Sequence, residues 1–139
     1  MPESPANALS RYRFDRAEQM LKASRLAYSQ QDWVTANNRA YYCFFHAMRA
    51  VLALEQVDFK KHSAVISYFN QHYVAAGIFD RSYGAKFANA FTIRNHSDYD
   101  DFYLFSTEET LALMRDAEGF LGDVRRYLEE RRVFGEPMP

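Results

Sequence analysis

Apolar residues recur along this chain at steps of three and four, which is the period of an amphipathic α-helix. All four prolines sit near the two ends, so none interrupts the stretch from Ala6 to Glu136. Because proline is the residue that most strongly breaks helices, long helices can form across this stretch. The sequence shows no sustained alternation of apolar and polar residues of the kind that marks a half-buried strand. The pattern therefore predicts an all-α fold.

The first two predicted helices have clear starting signals. The first runs roughly from Pro5 to Gln30, with Pro5 suited to the first helical turn. Asp32 can cap the second, which runs roughly from Trp33 to Glu55. The second helix has no Gly or Pro and is apolar over most of its circumference, which predicts a central position in the fold. The apolar line of the first helix is formed by Phe14, Ala17, Leu21 and Tyr28.

Two further helices are predicted in the middle of the chain. The third runs roughly from Ser63 to Ala76 and ends at Gly77, a natural C-terminal cap. Asp80 can open the fourth, which runs roughly from Arg81 to Phe105. The apolar positions of these helices are Val65, Phe69 and Tyr73 in the third and Phe87, Phe91, Phe102 and Phe105 in the fourth.

The fifth predicted helix begins after Ser106, which forms a capping box with Glu109. Together the segments predict an up-and-down bundle of four to five helices. Residues 1–139 form one domain in this interpretation, with a core over about residues 6–131 and frayed termini. The apolar positions of the fifth helix are Leu111, Met114, Ala117, Leu121, Val124 and Leu128.

Composition narrows the function classes. A net charge of -1 gives no overall attraction to nucleic acid, so any such contact requires a local basic patch. Aromatic residues make up 17% of the chain, enough for a heavily aromatic core or for rings left to a partner. Cys43 is the single cysteine and excludes an internal disulfide. With no leader sequence and no apolar run long enough to span a bilayer, we expect a cytoplasmic protein without membrane contact.

Two charges interrupt the apolar face of the fourth predicted helix. Winding the helix at about 100° per residue places Arg94 and Asp98 in one stripe with Phe87, Phe91 and Phe102. One interpretation is an ordinary i, i+4 salt bridge partly covered by rings. The other is that the stripe faces a cleft or a second subunit, where a guanidinium can hold a phosphate.

The neighbours of this pair differ in direction. His96 lies about 160° from Asp98 around the helix and is expected to point away from the stripe, whereas Tyr99 falls on its flank. His96 is therefore expected to matter less for chemistry at Arg94 than a histidine on another helix.

A polar line crosses the second predicted helix. Arg39, Tyr42, His46 and Arg49 follow one another at steps of three, four and three. A histidine flanked by two arginines can carry protons beside a bound phosphate, with its pKa lowered by the positive charges. Alternatively, the line is the solvated face of a core helix.

Other chemical signals are weaker. The four histidines form no pattern with carboxylates at metal-ligand spacing, so no metal and no cofactor is expected. The run Lys60-Lys61-His62 can touch an anion, although such a run is more often a solvated turn. The sequence contains no Gly-rich phosphate loop and no Gly-x-Ser-x-Gly, which excludes the sheet-based nucleotide-binding and hydrolase classes.

Three segments resemble the HEPN domain, and in particular its small stand-alone prokaryotic branch. The segments are Asn38 to Ala47, Lys61 to Asn70, and Arg94 to Tyr99. Their order and spacing also fit, and the resemblance covers roughly Ala6 to Arg131. It implies a helical bundle that dimerises and brings the polar residues of two fourth helices into one cleft.

The resemblance also implies an activity and a partner. Many relatives are metal-independent ribonucleases, often toxins paired with a minimal nucleotidyltransferase as antitoxin, and in some a motif tyrosine accepts a nucleotidyl group. Their signature is an arginine followed after four to six residues by a histidine. Here Arg94 matches the arginine, but His96 comes too early and the sequence reads Arg-x-x-x-Asp-Tyr, ending in Asp98 and Tyr99. This form resembles the branch of the family that carries an Arg-x-x-x-Asp-Tyr motif.

Two functions follow as hypotheses. The first is a homodimeric RNA endonuclease in which Arg94 and Asp98 form the catalytic centre and His46 or His96 handles protons. In this hypothesis Arg39, Tyr42, Arg49 and Asn95 bind RNA or a nucleotide, and Tyr99 is a modification site. The second is a catalytically inactive module that binds a nucleotide or docks the nucleotidyltransferase.

Overall fold

The computed structural model describes residues 3–99 and 106–135. Within these ranges the chain forms five α-helices and no strand, which confirms the all-α prediction. The helices are α1 (Pro5–Ser29), α2 (Trp33–Ala53), α3 (His62–Phe69), α4 (Ser82–Tyr99) and α5 (Thr107–Glu130). The part of the fourth predicted helix beyond Tyr99, including Phe102 and Phe105, lies outside the described residues.

The predicted caps start the helices where expected. The Asp32 carboxylate accepts a hydrogen bond from the Thr35 backbone N–H at 3.2 Å, and α2 begins at the next residue. The Ser106 hydroxyl accepts from the Glu109 backbone N–H at 3.1 Å, which is one half of the predicted capping box. These side chains satisfy backbone donors that have no partner within a first helical turn.

The third predicted helix is only partly regular. The structure ends α3 at Phe69 and continues as a π-helical segment, Asn70–Val74, before Gly77 closes the turn with φ +80°. The backbone N–H of Ala75 donates to the carbonyl of Asn70 at 2.8 Å, five residues back. The prediction of one α-helix to Ala76 was therefore wrong, because periodicity of apolar residues does not distinguish an α turn from a wider π turn.

Helix α2 is central, as predicted from its apolar circumference. It contacts α1, α3, α4 and α5. Two buried serines fix its antiparallel packing on α1, since the Ser10 hydroxyl donates to the Ala50 carbonyl and the Ser24 hydroxyl to the Ala36 carbonyl, each at 2.7 Å. The serines are separated along α1 by the same number of residues as the two alanines along α2. The helices therefore stay in register over their whole contact.

The centre of the core is aromatic and is built around Phe120 of α5. Five rings surround it with centroid distances between 4.9 and 5.7 Å. These rings come from α2, α3, α4 and the loop before α4, so one side chain links four parts of the bundle. They belong to Phe44, Phe69, Phe79, Tyr83 and Phe87.

We predict that Phe120→Ala destabilises the fold strongly. Removing a fully buried phenylalanine typically costs about 3–5 kcal/mol, because transfer free energy is lost and a cavity remains. Urea unfolding followed by circular dichroism measures this loss. Tyr12→Ala is the matched control, because the Tyr12 side chain is 62% exposed and its removal should leave the unfolding free energy nearly unchanged. Equal effects of the two substitutions would contradict the assignment of Phe120 as the centre of the core.

Candidate functional site

The candidate site lies where the first half of α2 faces the last turns of α4. The two helices run antiparallel here, because contacts pair later residues of one with earlier residues of the other. The Asn38 amide donates to Oδ2 of Asp98 at 2.9 Å, and Nη2 of Arg94 donates to the Tyr42 hydroxyl at 3.1 Å. The Asn37 amide adds a contact to the Ser97 hydroxyl at 3.0 Å. Polar residues of both helices thus meet along one seam.

The predicted pairing of Arg94 with Asp98 is present. Nε of Arg94 lies 3.0 Å from Oδ2 of Asp98, and the two side chains are only 14% and 18% exposed. Nη1 of Arg94 also donates to the Asn95 side chain at 3.3 Å. A pair this sheltered is screened less by solvent than an exposed i, i+4 pair. The guanidinium is therefore fixed in position before any ligand binds.

Three tyrosine rings surround the Arg94 guanidinium. Its central carbon lies 5.3 Å from the Tyr41 ring centre, 5.4 Å from that of Tyr42 and 5.5 Å from that of Tyr99. Such cation–π contacts stabilise a charge that is partly removed from water. Each terminal nitrogen of Arg94 carries a second N–H group that can bind an anion oxygen. We call Arg94, Asp98, Asn38, Tyr41 and Tyr42 the Arg94 cluster.

The polar line predicted on α2 is half-buried along its whole length. Four residues of the line, Arg39, Tyr42, His46 and Arg49, are intermediate in exposure, and every residue of α2 between them is buried. Asn38, directly before the line, is also intermediate. Arg39 donates to the Asn38 side-chain oxygen and so joins the Arg94 cluster from the other side. These four residues are therefore the part of α2 between Arg39 and Arg49 that solvent reaches, and they lie in partly covered surface.

At the Arg49 end of the line, one carboxylate faces two arginines. Nη2 of Arg49 lies 2.7 Å from Asp58, and Arg13 of α1 reaches the same carboxylate at 3.0 Å. These arginines hold the pKa of Asp58 below its ordinary value, chiefly through the Arg49 hydrogen bond. Asp58 thus balances part of the positive charge at this end of the line.

His46 lies in the middle of this line and is neutral at physiological pH. Burial, and to a lesser extent the charges of Arg16, Arg49 and Arg13, lower its pKa to about 4. The sequence predicted the direction of the shift and one of its causes, Arg49, but burial is the largest cause, and Arg16 and Arg13 of α1 act in place of Arg39. The His46 ring centre lies 5.9 Å from that of Tyr42, one helical turn nearer to Arg94.

A histidine that the sequence analysis left as a weak signal joins the site. Nδ1 of His62, the first residue of α3, lies 2.9 Å from the Tyr41 hydroxyl, and its ring centre lies 4.0 Å from that of Phe45. His62 is half-buried, whereas Lys60 and Lys61 before it are exposed. The interpretation of Lys60-Lys61-His62 as a solvated turn therefore holds for the lysines and not for the histidine.

A cleft of about 370 Å³ opens beside His62. We call it the basic cleft; it is lined by Phe45, Arg49, Asp58, Phe59, Lys60 and His62. Sequence reasoning missed this cleft because its residues come from α2, the following loop and the start of α3. The one signal that pointed to it was the cationic run before α3.

Tyr99 and His96, two further residues of α4 that the sequence singled out, differ in how they lie relative to the Arg94 cluster. Tyr99 is 71% exposed while its ring contacts the Arg94 guanidinium. His96 is half-buried and lies two residues after Arg94, about 200° further around the helix. The hydrogen bonds that the last turns of α4 make to α2 come from Arg94, Ser97 and Asp98.

Two further features of the described residues concern metal ions and membranes. Among residues 3–99 and 106–135, no three side chains of the His, Cys, Asp or Glu type are gathered closely enough to hold a metal ion. None of the helices in these ranges combines the length and apolarity required to cross a bilayer.

The comparisons with known proteins agree with one another. The family profile described as "HEPN domain" matches residues 10–127. A "UPF0332 protein" of Thermotoga maritima is 30% identical over 83% of this chain and 87% of its own length. Two proteins of Methanocaldococcus jannaschii named "Putative toxin MJ0605" and "Putative toxin MJ0142" are 29% and 27% identical. These matches cover 82% and 86% of this chain, and 84% and 81% of the relatives.

We predict that His46 makes the stability of the protein fall as the pH is lowered from 7 towards 5. An unfolded histidine binds a proton near its ordinary pKa of 6.5, whereas folded His46 does so only near pH 4. Between these values the unfolded state binds more protons, so lowering the pH favours unfolding. In His46→Gln this contribution is absent, and the unfolding free energy should decline less between pH 7 and pH 5. Urea titrations measure the unfolding free energy at each pH. If it declined equally in the wild type and in His46→Gln, His46 would have the pKa of an ordinary histidine.

Proposed function

The chain belongs to the HEPN domain family, and on this premise we propose that it is the toxin component of a toxin–antitoxin pair. In this proposal the protein acts as a homodimer and cleaves RNA without a metal ion. The observation that supports this proposal best is the preorganised Arg94. It is a sheltered guanidinium, held by Asp98 and Tyr42, at the position that the resemblance assigns to the signature arginine. The relatives named as toxins are similar to this chain over most of its length.

The reaction that suits this site is transesterification within the RNA. The ribose 2′-oxygen attacks the adjacent phosphorus and the bond to the 5′-oxygen breaks, which leaves a 2′,3′-cyclic phosphate and a 5′-hydroxyl. Negative charge builds on the non-bridging oxygens in the transition state, where the remaining N–H groups of Arg94 can bind them. Because the nucleophile is part of the RNA, the protein needs only charge stabilisation and proton transfer. His46 and His96 are the proton carriers proposed from the sequence.

A dimer completes the site in this proposal. The stripe of α4 that carries Arg94 and Asp98 would be the interface, because the resemblance implies a dimer that brings the polar residues of two fourth helices into one cleft. Two copies facing each other across α4 would bring two Arg94 side chains to one phosphate. A C2 arrangement of this kind is the commonest symmetry of small oligomers. Static light scattering at micromolar concentration should give twice the mass of the chain; a strict monomer would remove this part of the proposal.

A non-catalytic module is the second candidate, and one observation favours it. Arg94 is already compensated by Asp98 and donates to Asn95 and Tyr42, so its charge is largely balanced within the subunit. Such a site suits the recognition of a nucleotide, with Arg39, Tyr42 and Arg49 along α2 as contacts. The same surface would then dock the nucleotidyltransferase antitoxin. Both candidates place the protein in the cytoplasm, with RNA or a nucleotide as its ligand.

We predict that Arg94→Ala lowers RNA cleavage by about 100- to 1000-fold, the usual effect of losing one preorganised charge contact to a transition state. The assay incubates purified protein with RNA in EDTA and identifies fragments that end in a 2′,3′-cyclic phosphate. Arg25→Ala is the matched control, because Arg25 forms an exposed ion pair with Glu118 on another face and its loss should leave the rate unchanged.

The outcomes of this assay separate the two candidates. Cleavage by the wild-type protein that persists in Arg94→Ala would exclude Arg94 as the charge-stabilising group. If the wild-type protein cleaves no RNA, the non-catalytic module is the correct candidate. Binding of a labelled nucleotide that is lost in Arg94→Ala would then support it.

We predict that Tyr99 accepts a nucleotidyl group when the protein is incubated with the nucleotidyltransferase and ATP. Its phenolic oxygen is exposed, and attack on the α-phosphorus of ATP releases pyrophosphate. The nearby Arg94 guanidinium favours the approach of the phosphates. Mass spectrometry should find the label on Tyr99 and lose it in Tyr99→Phe. Tyr12→Phe, at a similarly exposed tyrosine on α1, should keep it; a label on another residue of the wild-type protein would refute the assignment.

A further inference from the structure

We propose that His62, oriented by Tyr41, is the general base of this site and takes the proton from the ribose 2′-hydroxyl. The inference rests on the ribonuclease function proposed above. It assigns the proton transfer to a residue outside α2 and α4, at the start of α3. It also explains how a site without the family's usual Arg-x(4–6)-His spacing can still contain a histidine.

One ring nitrogen of His62 is engaged by Tyr41, and we assign the base to the other, Nε2. Nδ1 of His62 is bound to the hydroxyl of Tyr41, which is almost fully buried, and one face of the imidazole packs on Phe45. Nε2 lies on the other side of the ring from Nδ1, and His62 lines the basic cleft. A base whose second nitrogen is held by a hydrogen-bonded partner is the arrangement that orients catalytic histidines elsewhere.

His62 and Arg94 share the same aromatic wall. The His62 ring centre lies 5.9 Å from that of Tyr41 and 5.7 Å from that of Tyr42. The Arg94 guanidinium lies at comparable distances from the same two rings, 5.3 and 5.4 Å. Arg94 and His62 therefore border the same two rings, and we place the phosphate against Arg94 and the neighbouring ribose on the His62 side of this wall.

The surrounding charges keep His62 in the form that a base requires. Burial lowers its pKa, and the positive charges of Arg94 on α4 and Arg49 on α2 lower it further. Lys60 in the preceding loop adds positive charge at the basic cleft, where Asp58 is the opposing carboxylate. Burial also raises the pKa of Tyr41, so its hydroxyl stays protonated and can accept a hydrogen bond from Nδ1–H.

The proton balance of the step is complete. Nε2 of His62 takes the proton of the 2′-hydroxyl as the 2′-oxygen forms its bond to phosphorus. The bond from phosphorus to the 5′-oxygen breaks, and water in the open cleft gives that oxygen a proton. The imidazolium then returns its proton to solvent. While it is charged, its Nδ1–H donates to the oxygen of Tyr41.

His62 fits this role better than His46. Arg94 is one of the charges that lower the pKa of His62, whereas the groups that act on His46 are Arg16, Arg49, Arg13 and His62 itself. With a pKa of about 4, His46 is also a weak base. His62 has in addition a hydrogen-bonded partner that orients it.

The test compares His62→Ala, His46→Ala, Tyr41→Phe and His72→Ala in the cleavage assay. His72 is an exposed histidine of the π-helical segment, so its loss should leave the rate unchanged. His62→Ala should lower the rate by about 100- to 10 000-fold, the range of general acid–base catalysis, and Tyr41→Phe by a smaller factor. Added imidazole should partly restore cleavage by His62→Ala and leave the wild type unaffected. The acidic limb of the pH–rate profile, set by a pKa below 6.5, should disappear in His62→Ala.

Each outcome decides between the assignments. Loss of activity without rescue by imidazole, in a variant whose circular dichroism is unchanged, would show that His62 is not the base. If His62→Ala kept full activity and His46→Ala lost it, His46 would be the general base, and the proposed ribonuclease function would be unaffected. A wild-type protein that cleaves no RNA would overturn the ribonuclease and this assignment together.

Discussion

The close antiparallel packing of α1 on α2 is the contact on which the rest of the structure depends. Two serine hydroxyls of α1 donate to carbonyls near the two ends of α2 and keep the helices in register. Alanines lie between them on α2, and small side chains let the two backbones approach. Because α2 is then covered by α1 on one side and by α3, α4 and α5 on others, the residues of α2 that solvent reaches between Arg39 and Arg49 form one narrow line. The candidate site is built on that line.

Sheltering charge in such a place requires compensation close by. Arg94 is sheltered together with Asp98, and Asn38 and Tyr42 hold the pair from α2. The same contacts that make the charge tolerable also fix the direction of the guanidinium. Preorganisation and charge balance are therefore properties of one group of contacts. How strongly the remaining N–H groups bind a phosphate is what separates the nuclease from the binding module.

Tyr41 and Tyr42 connect two parts of the site that are distant in sequence. Arg94 packs on one part of this aromatic wall and His62 on another, so a guanidinium and an imidazole border the same surface. The buried environment lowers the pKa of both His62 and His46, which leaves these rings uncharged at neutral pH. The positive charge of the site consequently resides in its arginines and lysines, and its histidines are available to accept protons.

The sequence by itself determined the class of fold, the central helix, the caps and the Arg94–Asp98 pair. These features depend on the helical period and on contacts within about one turn, which a linear pattern carries. It did not determine the π-helical segment after Phe69, because π and α turns share an apolar pattern over so few residues. Nor did it place His62 beside Tyr41, since that contact joins the start of α3 to the middle of α2 and exists only once α3 has docked on α2. Only tertiary packing decided which histidine shares the Tyr41–Tyr42 wall with Arg94, because helical winding orders residues around one helix and carries no information on the distance between two.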